Sequence, residues 1–274
     1  MRWILVTGCS SGIGHHAAFA LQQRGYQVIA SARTERDVES LKAQGLRQVI
    51  QLDLCDSQSI QAAVNQAQQI SGGKLSALIN NGAYGQPGAV EDLSRDTLRH
   101  QFETNFFGTV ELTNLLIPDF LKQPDARIVQ NSSVLGFVAM KFRGAYNASK
   151  FALEGISDTM RLELADTSVK VILIEPGPIK TQFRANALAA FESRINRQES
   201  RFKTIYGNML ERLSADKSTA PFTLGPEAVT RELIRALESR NPKVRYRVTS
   251  ATKILAVMRR LLPSRWLDQI VRKY

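Results

Sequence analysis

Residues 2–31 read as strand, glycine turn, helix and strand, and this opening restricts the fold more than any other part of the chain. Arg2-Trp3-Ile4-Leu5-Val6-Thr7 is an apolar, β-rich run of the kind that forms a buried parallel strand. Gly8-Cys9-Ser10-Ser11-Gly12-Ile13-Gly14 follows, and then the helical pattern Ala17-Ala18-Phe19-Ala20-Leu21. A glycine turn between a strand and a helix lets backbone approach a pyrophosphate, while the helix N-terminus offers N–H groups and positive dipole. An ordinary strand-to-helix turn has the same outline, so the turn needs support from elsewhere in the chain.

The second strand, Tyr26 to Ser31, leads into Ala32-Arg33-Thr34. A site for NAD expects an acid about 20 residues beyond the glycines, to accept from the ribose 2′-hydroxyl. Arg33 occupies that strand end, and a guanidinium suits a 2′-phosphate. The expected cofactor is therefore NADP(H); the alternative is that Arg33 is a solvated loop charge. Glu35 and Asp37 lie too far into the next helix to be first choices for the ribose.

A second constellation lies mid-chain, in Tyr146-Asn147-Ala148-Ser149-Lys150, with Ser133 thirteen positions before the tyrosine. Tyr146 and Lys150 are at i and i+4, on one helix face. A free phenol titrates at about 10, and a neighbouring cation favours the phenolate. A serine hydroxyl beside the pair can hold a carbonyl or alcohol oxygen. These groups can move a proton on or off an oxygen, and a dinucleotide would supply the accompanying hydride.

Together the glycine loop, Ser133, Tyr146 and Lys150 resemble the short-chain dehydrogenase/reductase family, and the Thr-Gly-x-x-x-Gly-x-Gly spacing resembles its single-domain oxidoreductase branch. Further motifs match in order. The resemblance implies that Asp53 holds the adenine ring and that Asn80-Asn81-Gly82-Ala83 closes the fourth strand beside the cofactor. In that turn the last two residues are swapped relative to the family pattern. It also implies that Asn105 is the catalytic asparagine, and that Pro176-Gly177-Pro178-Ile179-Lys180-Thr181 holds the nicotinamide amide. Ser133 would bond the substrate oxygen and Tyr146 would exchange its proton. Lys150 would hold the nicotinamide ribose, and Asn105 a water linking Lys150 to bulk. The resemblance covers about residues 1–180. Residues 148–155, Ala-Ser-Lys-Phe-Ala-Leu-Glu-Gly, resemble hydroxysteroid and retinol dehydrogenase-like members, which implies an apolar carbonyl or alcohol substrate.

At 274 residues, with strands and helices alternating to about residue 175 and no linker, one domain of residues 1–274 is expected. The fold class is α/β, a Rossmann-type doubly wound, mostly parallel seven-stranded sheet with helices on both faces. Strands are expected at 47–54, 75–80, 127–132, 169–175 and 244–248. Helices are expected at 35–44, 57–70 with Ser57 as cap, 97–121 carrying Asn105, and 146–165. Residues 181–224 contain no obvious strand. In them Phe202, Ile205, Tyr206, Met209 and Leu213 have helical spacing, which suits either a substrate-covering wall or a helix on an ordinary core.

Cys9 and Cys55 do not make a disulfide framework and are expected to be reduced structural thiols in a cytoplasmic protein. There is no secretory signal, no apolar run approaching the length of a membrane span, and no cluster with metal-ligand spacing. His15 and His16 are expected on the surface. The net charge of +11 is concentrated at the end: from residue 241 there are nine Lys or Arg and one acid, Asp268. The tail at about 250–274 alternates these bases with Ile254, Leu255, Val257, Leu261, Leu262, Trp266 and Ile270. Its apolar side would lie on an acidic membrane surface, or cover the protein's own sheet or a sister subunit. No nucleic-acid motif accompanies the charge. Competing readings are a carrier-linked ketoacyl-thioester reductase, whose acidic partner suits a basic surface, and a nucleotide-sensing regulator without turnover.

Overall fold

The computed structural model describes residues 2–214 and 222–272. Part of the expected covering segment, 215–221, and the tail residue Lys273 lie outside the described residues.

Seven strands form one parallel sheet: β1 (Trp3–Val6), β2 (Gln27–Ala32), β3 (Gln48–Gln51), β4 (Leu75–Asn80), β5 (Ala126–Asn131), β6 (Val169–Glu175) and β7 (Arg245–Arg247). Their spatial order is β3-β2-β1-β4-β5-β6-β7, with every neighbouring pair parallel. This is the doubly wound Rossmann-type arrangement, and the chain changes direction across the sheet between β1 and β4. Ligands bind outside the carboxyl ends of the strands at such a switch point.

Strand alternation distributes the core to both faces. Ile4 and Val6 pack with Ala17, Ala18 and Leu21 of α1 (Gly12–Gln23) and with Val229, Leu233 and Leu237 of α9 (Pro226–Glu238). Leu5 points the other way, into a core with Ile60 and Val64 of α3 (Ser57–Ser71), Leu112 and Leu116 of α5 (Gly108–Phe120), and Met160 of α6 (Gly144–Glu163). Both faces are covered, which is why β4 and β5 are buried at every position.

Several local features differ from the sequence expectation. The strand expected at 47–54 is the shorter β3, which ends at Gln51. The cap of α3 is Asp56, whose carboxylate accepts from the Gln58 N–H, and Ser57 is the first helical residue. The helix expected at 97–121 starts earlier, as α4 (Arg95–Phe102) capped by Ser94, and passes through a π-helical segment, Glu103–Phe107, before α5. His15 and His16 are only partly exposed: His15 bonds Gln44, and His16 bonds Thr230 of α9.

Beyond β6 lie α7 (Phe183–Arg194) and α8 (Lys203–Ser214), which enclose a small core of their own: Ala89, Leu93, Ala145, Phe191, Ile195 and Tyr206. The Tyr206 hydroxyl accepts from the Ala89 N–H at 2.8 Å and donates to Asp92. This part of the 181–224 segment therefore buries an ordinary core face. The chain ends in α10 (Ser250–Leu261) and α11 (Ser264–Val271), after α2 (Glu35–Ala43) has already bridged β2 and β3.

Candidate active site

The carboxyl ends of β1, β4 and β5 are stitched together by short polar side chains. The Thr7 hydroxyl accepts from the Asn81 and Gly82 N–H groups at 2.9 and 2.8 Å. Asn81 donates its amide to the carbonyls of Thr7 and Gly8, and accepts from the Asn131 amide at 2.9 Å. Lys150 donates to the Asn131 carbonyl at 2.8 Å. A continuous path therefore runs from the glycine turn to the lysine. Asn131 stands outside the sequence expectation because it reads as an ordinary strand residue; its position just before Ser132-Ser133, at a strand end, was the available signal.

The glycine turn is built for close approach. Gly8 has φ +68° and lies against the Gly82 backbone, and a methyl group on Gly14 would collide with the Gly8 carbonyl oxygen. Ser11 precedes α1 in extended conformation without capping it, and Ser10 is exposed beside it. The first N–H groups of a helix have no intrahelical partner, so this arrangement fits a pyrophosphate. Thr181 lies against Gly12, and Ile13 and Ile179 pack on the same core, so the Pro176–Thr181 loop folds back onto the glycine turn. Gly177 is pressed against Thr249 and Thr252, and the Pro176 carbonyl accepts from the Val134 N–H.

Arg33 is exposed just past the end of β2, and its carbonyl accepts from Gln51. Asp53 follows β3 and accepts from the Cys55 N–H. The charges of Arg33 and Asp53 both act on Cys55 and on His100, so the two residues lie within electrostatic reach of the same groups. Asn80 differs from its neighbour: its amide is buried and donates to Thr113 of α5 at 2.8 Å. Asn81, rather than Asn80, meets the glycine turn.

The Ser133 hydroxyl lies beside the Tyr146 phenol and eases its ionisation. Burial pushes the Tyr146 phenol up to about 12, with Ser133 and Arg143 opposing. Burial also brings Lys150 down to about 8, opposed by the charge of Glu154 one turn along α6. The ammonium lies 5.8 Å from the centre of the Tyr146 ring. Asn105 makes no hydrogen bond to Lys150. Its side chain clamps the Tyr84 backbone, accepting from the N–H and donating to the carbonyl, and also donates to Ser149 at 3.1 Å. Ser149 in turn donates to the Tyr146 carbonyl. The π segment is thus tied to α6 at the tyrosine itself.

Beside Lys150 is a partly buried charge network. Glu154 bonds Arg245, which also meets Asp158 at 2.7 Å and Glu175 at 3.0 Å, and Glu175 bonds Arg247. Burial raises Glu154 and Glu175, with the arginines opposing. Cys9 is fully buried, its thiol pushed up to about 12 by burial, and is a structural thiol; Cys55 is exposed and bonds Thr104. Phe183, the first residue of α7, packs edge-on against Tyr146 with ring centres 5.4 Å apart. Among the described residues no group of side chains has the make-up of a metal site.

A parallel doubly wound sheet, a glycine turn at its switch point and a Ser-Tyr-Lys set at the adjoining strand end define a dinucleotide-dependent oxidoreductase. The family profile of short chain dehydrogenases matches residues 2–191, and the chain belongs to that family. The uncharacterized oxidoreductase YbbO of Escherichia coli (strain K12) is 39% identical over 269 residues, 98% of this chain and 93% of its own. The NADPH-dependent 3-dehydrocapnine reductase of Ornithobacterium rhinotracheale is 32% identical, covering 100% of this chain and 97% of its own. A short chain dehydrogenase/reductase of Burkholderia phymatum, solved in complex with NAD, superposes with a TM-score of 0.79 at 25% identity, over 99% of this chain and 95% of that one.

Proposed function

We propose that the protein reduces apolar aldehydes or ketones to alcohols with NADPH. The observation that carries this reading is the meeting of Ser133, Tyr146 and buried Lys150 at the sheet edge that also holds the glycine turn. When bound at this edge, a nicotinamide cofactor would supply the hydride for the carbonyl carbon. Ser133 bonds the substrate oxygen and orients it toward Tyr146, whose hydroxyl delivers the proton as that oxygen gains charge. Lys150, held by the Asn131 carbonyl, favours the tyrosinate and, by family resemblance, would hold the nicotinamide ribose. Asn105 fixes Tyr84 and, through Ser149, the start of α6; by family resemblance it would also anchor a water that links Lys150 to bulk. Arg33 at the end of β2 supports the choice of NADPH, as does the name of the Ornithobacterium relative. Cells keep this cofactor largely reduced, which favours reduction over alcohol oxidation.

Phe183 beside Tyr146, and the residues 148–155 that resemble hydroxysteroid and retinol dehydrogenase-like members, support an apolar substrate. The test is a panel of free aldehydes and ketones, with matched carrier-bound acyl thioesters, run with NADPH and NADH side by side. Turnover of free apolar carbonyls with preference for NADPH is expected. Turnover confined to carrier-bound substrates would transfer the assignment to a ketoacyl-thioester reductase, and cofactor binding without any turnover would indicate a sensor.

A further inference from the structure

We propose that α10 and α11 form a docking surface for an anionic lipid bilayer, with the outer stripe of α10 entering the headgroup layer. The inner side of α10 is fixed to the body of the protein. Thr252 and Ala256 are buried, and the Thr249 and Thr252 hydroxyls bond each other beneath the helix. The opposite side carries Ile254, Val257 and Leu261, which are 53%, 56% and 76% exposed. Their spacing of three and four places them on one stripe. Trp266, at the start of α11, is 60% exposed and is an amphipathic ring of the kind that settles at a water–lipid boundary.

Charge selects the occupant. Arg245 and Arg247 are neutralised internally by Glu154, Asp158 and Glu175. Lys253, Arg259, Arg260, Arg265 and Arg272 are exposed on or beside α10 and α11, and Asp268 is the sole acid from residue 241 onward. A second copy packed across this stripe by two-fold symmetry would set these cations against their own counterparts. An anionic bilayer neutralises them and also takes up the apolar stripe. Among the described residues no helix is long and apolar enough to cross a membrane, so the contact is peripheral.

The docking helices pack beside the segments that follow Ser133 and Lys150. Leu267 and Val271 of α11 and Arg259 of α10 line a cleft of about 180 Å³ with Phe137 and Phe151. Phe137 lies four residues beyond Ser133, and Phe151 follows Lys150. The docking does not rest on the proposed reaction, because it is read from binding alone.

The experiment is co-sedimentation of the full chain with phosphatidylcholine vesicles and with vesicles that also contain phosphatidylglycerol. Binding to the anionic vesicles at low salt, released at high salt, is expected. The Ile254→Ser/Val257→Ser/Leu261→Ser variant and the Lys253→Gln/Arg260→Gln variant should each weaken it by about tenfold while leaving the melting temperature unchanged. Failure of the wild-type chain to bind anionic vesicles at low salt would overturn the proposal. So would wild-type binding by both variants. A wild-type dimer that the stripe variant converts to monomer, with vesicle binding unaltered, would also overturn it and assign the stripe to a second copy.

Discussion

The Lys150 ammonium is tethered to the Asn131 carbonyl at 2.8 Å, on the strand beside its own helix, and not to the Tyr146 hydroxyl. Its position is set by the end of β5, which Asn131 in turn ties to Asn81 and the glycine turn. The lysine is therefore held between the two halves of the site, buried and within electrostatic reach of Glu154.

That burial makes stability depend on pH. Lys150 is depressed from 10.5 to about 8, so the unfolded chain binds more protons between those values. The linked stability is present above the unfolded value and is lost as pH falls through about 8. At about 1.4 kcal/mol per pKa unit the effect is about 3 kcal/mol. Urea unfolding of the wild type and of Lys150→Met, compared across this window, should show the wild type gaining on the variant as pH rises. Parallel curves would show that the lysine is not desolvated.

Glu154 is the neighbouring charge that opposes this depression. Glu154→Gln removes it, so Lys150 should fall further and any limb of the kcat/KM profile governed by Lys150 should move to lower pH. The other groups facing this region, Arg245, Asp158, Glu175 and Arg247, remain. The loss of one Arg245 contact should cost about 1–3 kcal/mol of stability. An unshifted profile in a folded variant would separate the network from Lys150.

Gly14→Ala places a methyl group on the Gly8 carbonyl oxygen. Overpacking of this kind costs about 1–3 kcal/mol, and here it displaces the pyrophosphate cradle as well. NADPH affinity, read by fluorescence titration, should drop by more than the fall in melting temperature alone accounts for. Unchanged affinity would move the cofactor away from this turn.

Arg33 stands exposed beyond β2, where a 2′-phosphate would meet it. Arg33→Asp should weaken NADPH binding about 10- to 100-fold, the range for losing a charge-assisted hydrogen bond, and improve binding of NADH. Equal Michaelis constants before and after for both cofactors would leave Arg33 as a solvated charge.

The frame of the fold was legible where the chain is most uniformly buried. Leu75–Asn80 and Val169–Glu175 are predominantly apolar runs bounded by turn residues, and the strands take those limits. The π segment at Asn105 left no trace, because one extra residue per turn barely disturbs an amphipathic pattern. Helix α9 was not anticipated, although Gly225-Pro226 marks its start and Val229, Leu233 and Leu237 its buried side. Tyr146 and Lys150 share one face of α6, as their spacing of four required, and Ser133 lies beside the phenol. Asn81 and Asn131 act through contacts between residues 50 apart, which no local pattern encodes. Phe183 likewise meets Tyr146 only because α7 folds back over the sheet edge.

The most direct test of the proposed chemistry separates binding from proton transfer at one atom. Tyr146→Phe removes the hydroxyl and keeps the ring that packs on Phe183. With a carbonyl substrate found in the panel, NADPH consumption by this variant should fall by about 10²–10⁴-fold, while NADPH affinity stays near that of the wild type. Turnover at the wild-type rate would contradict the assignment of Tyr146 as the proton donor, and with it the mechanism.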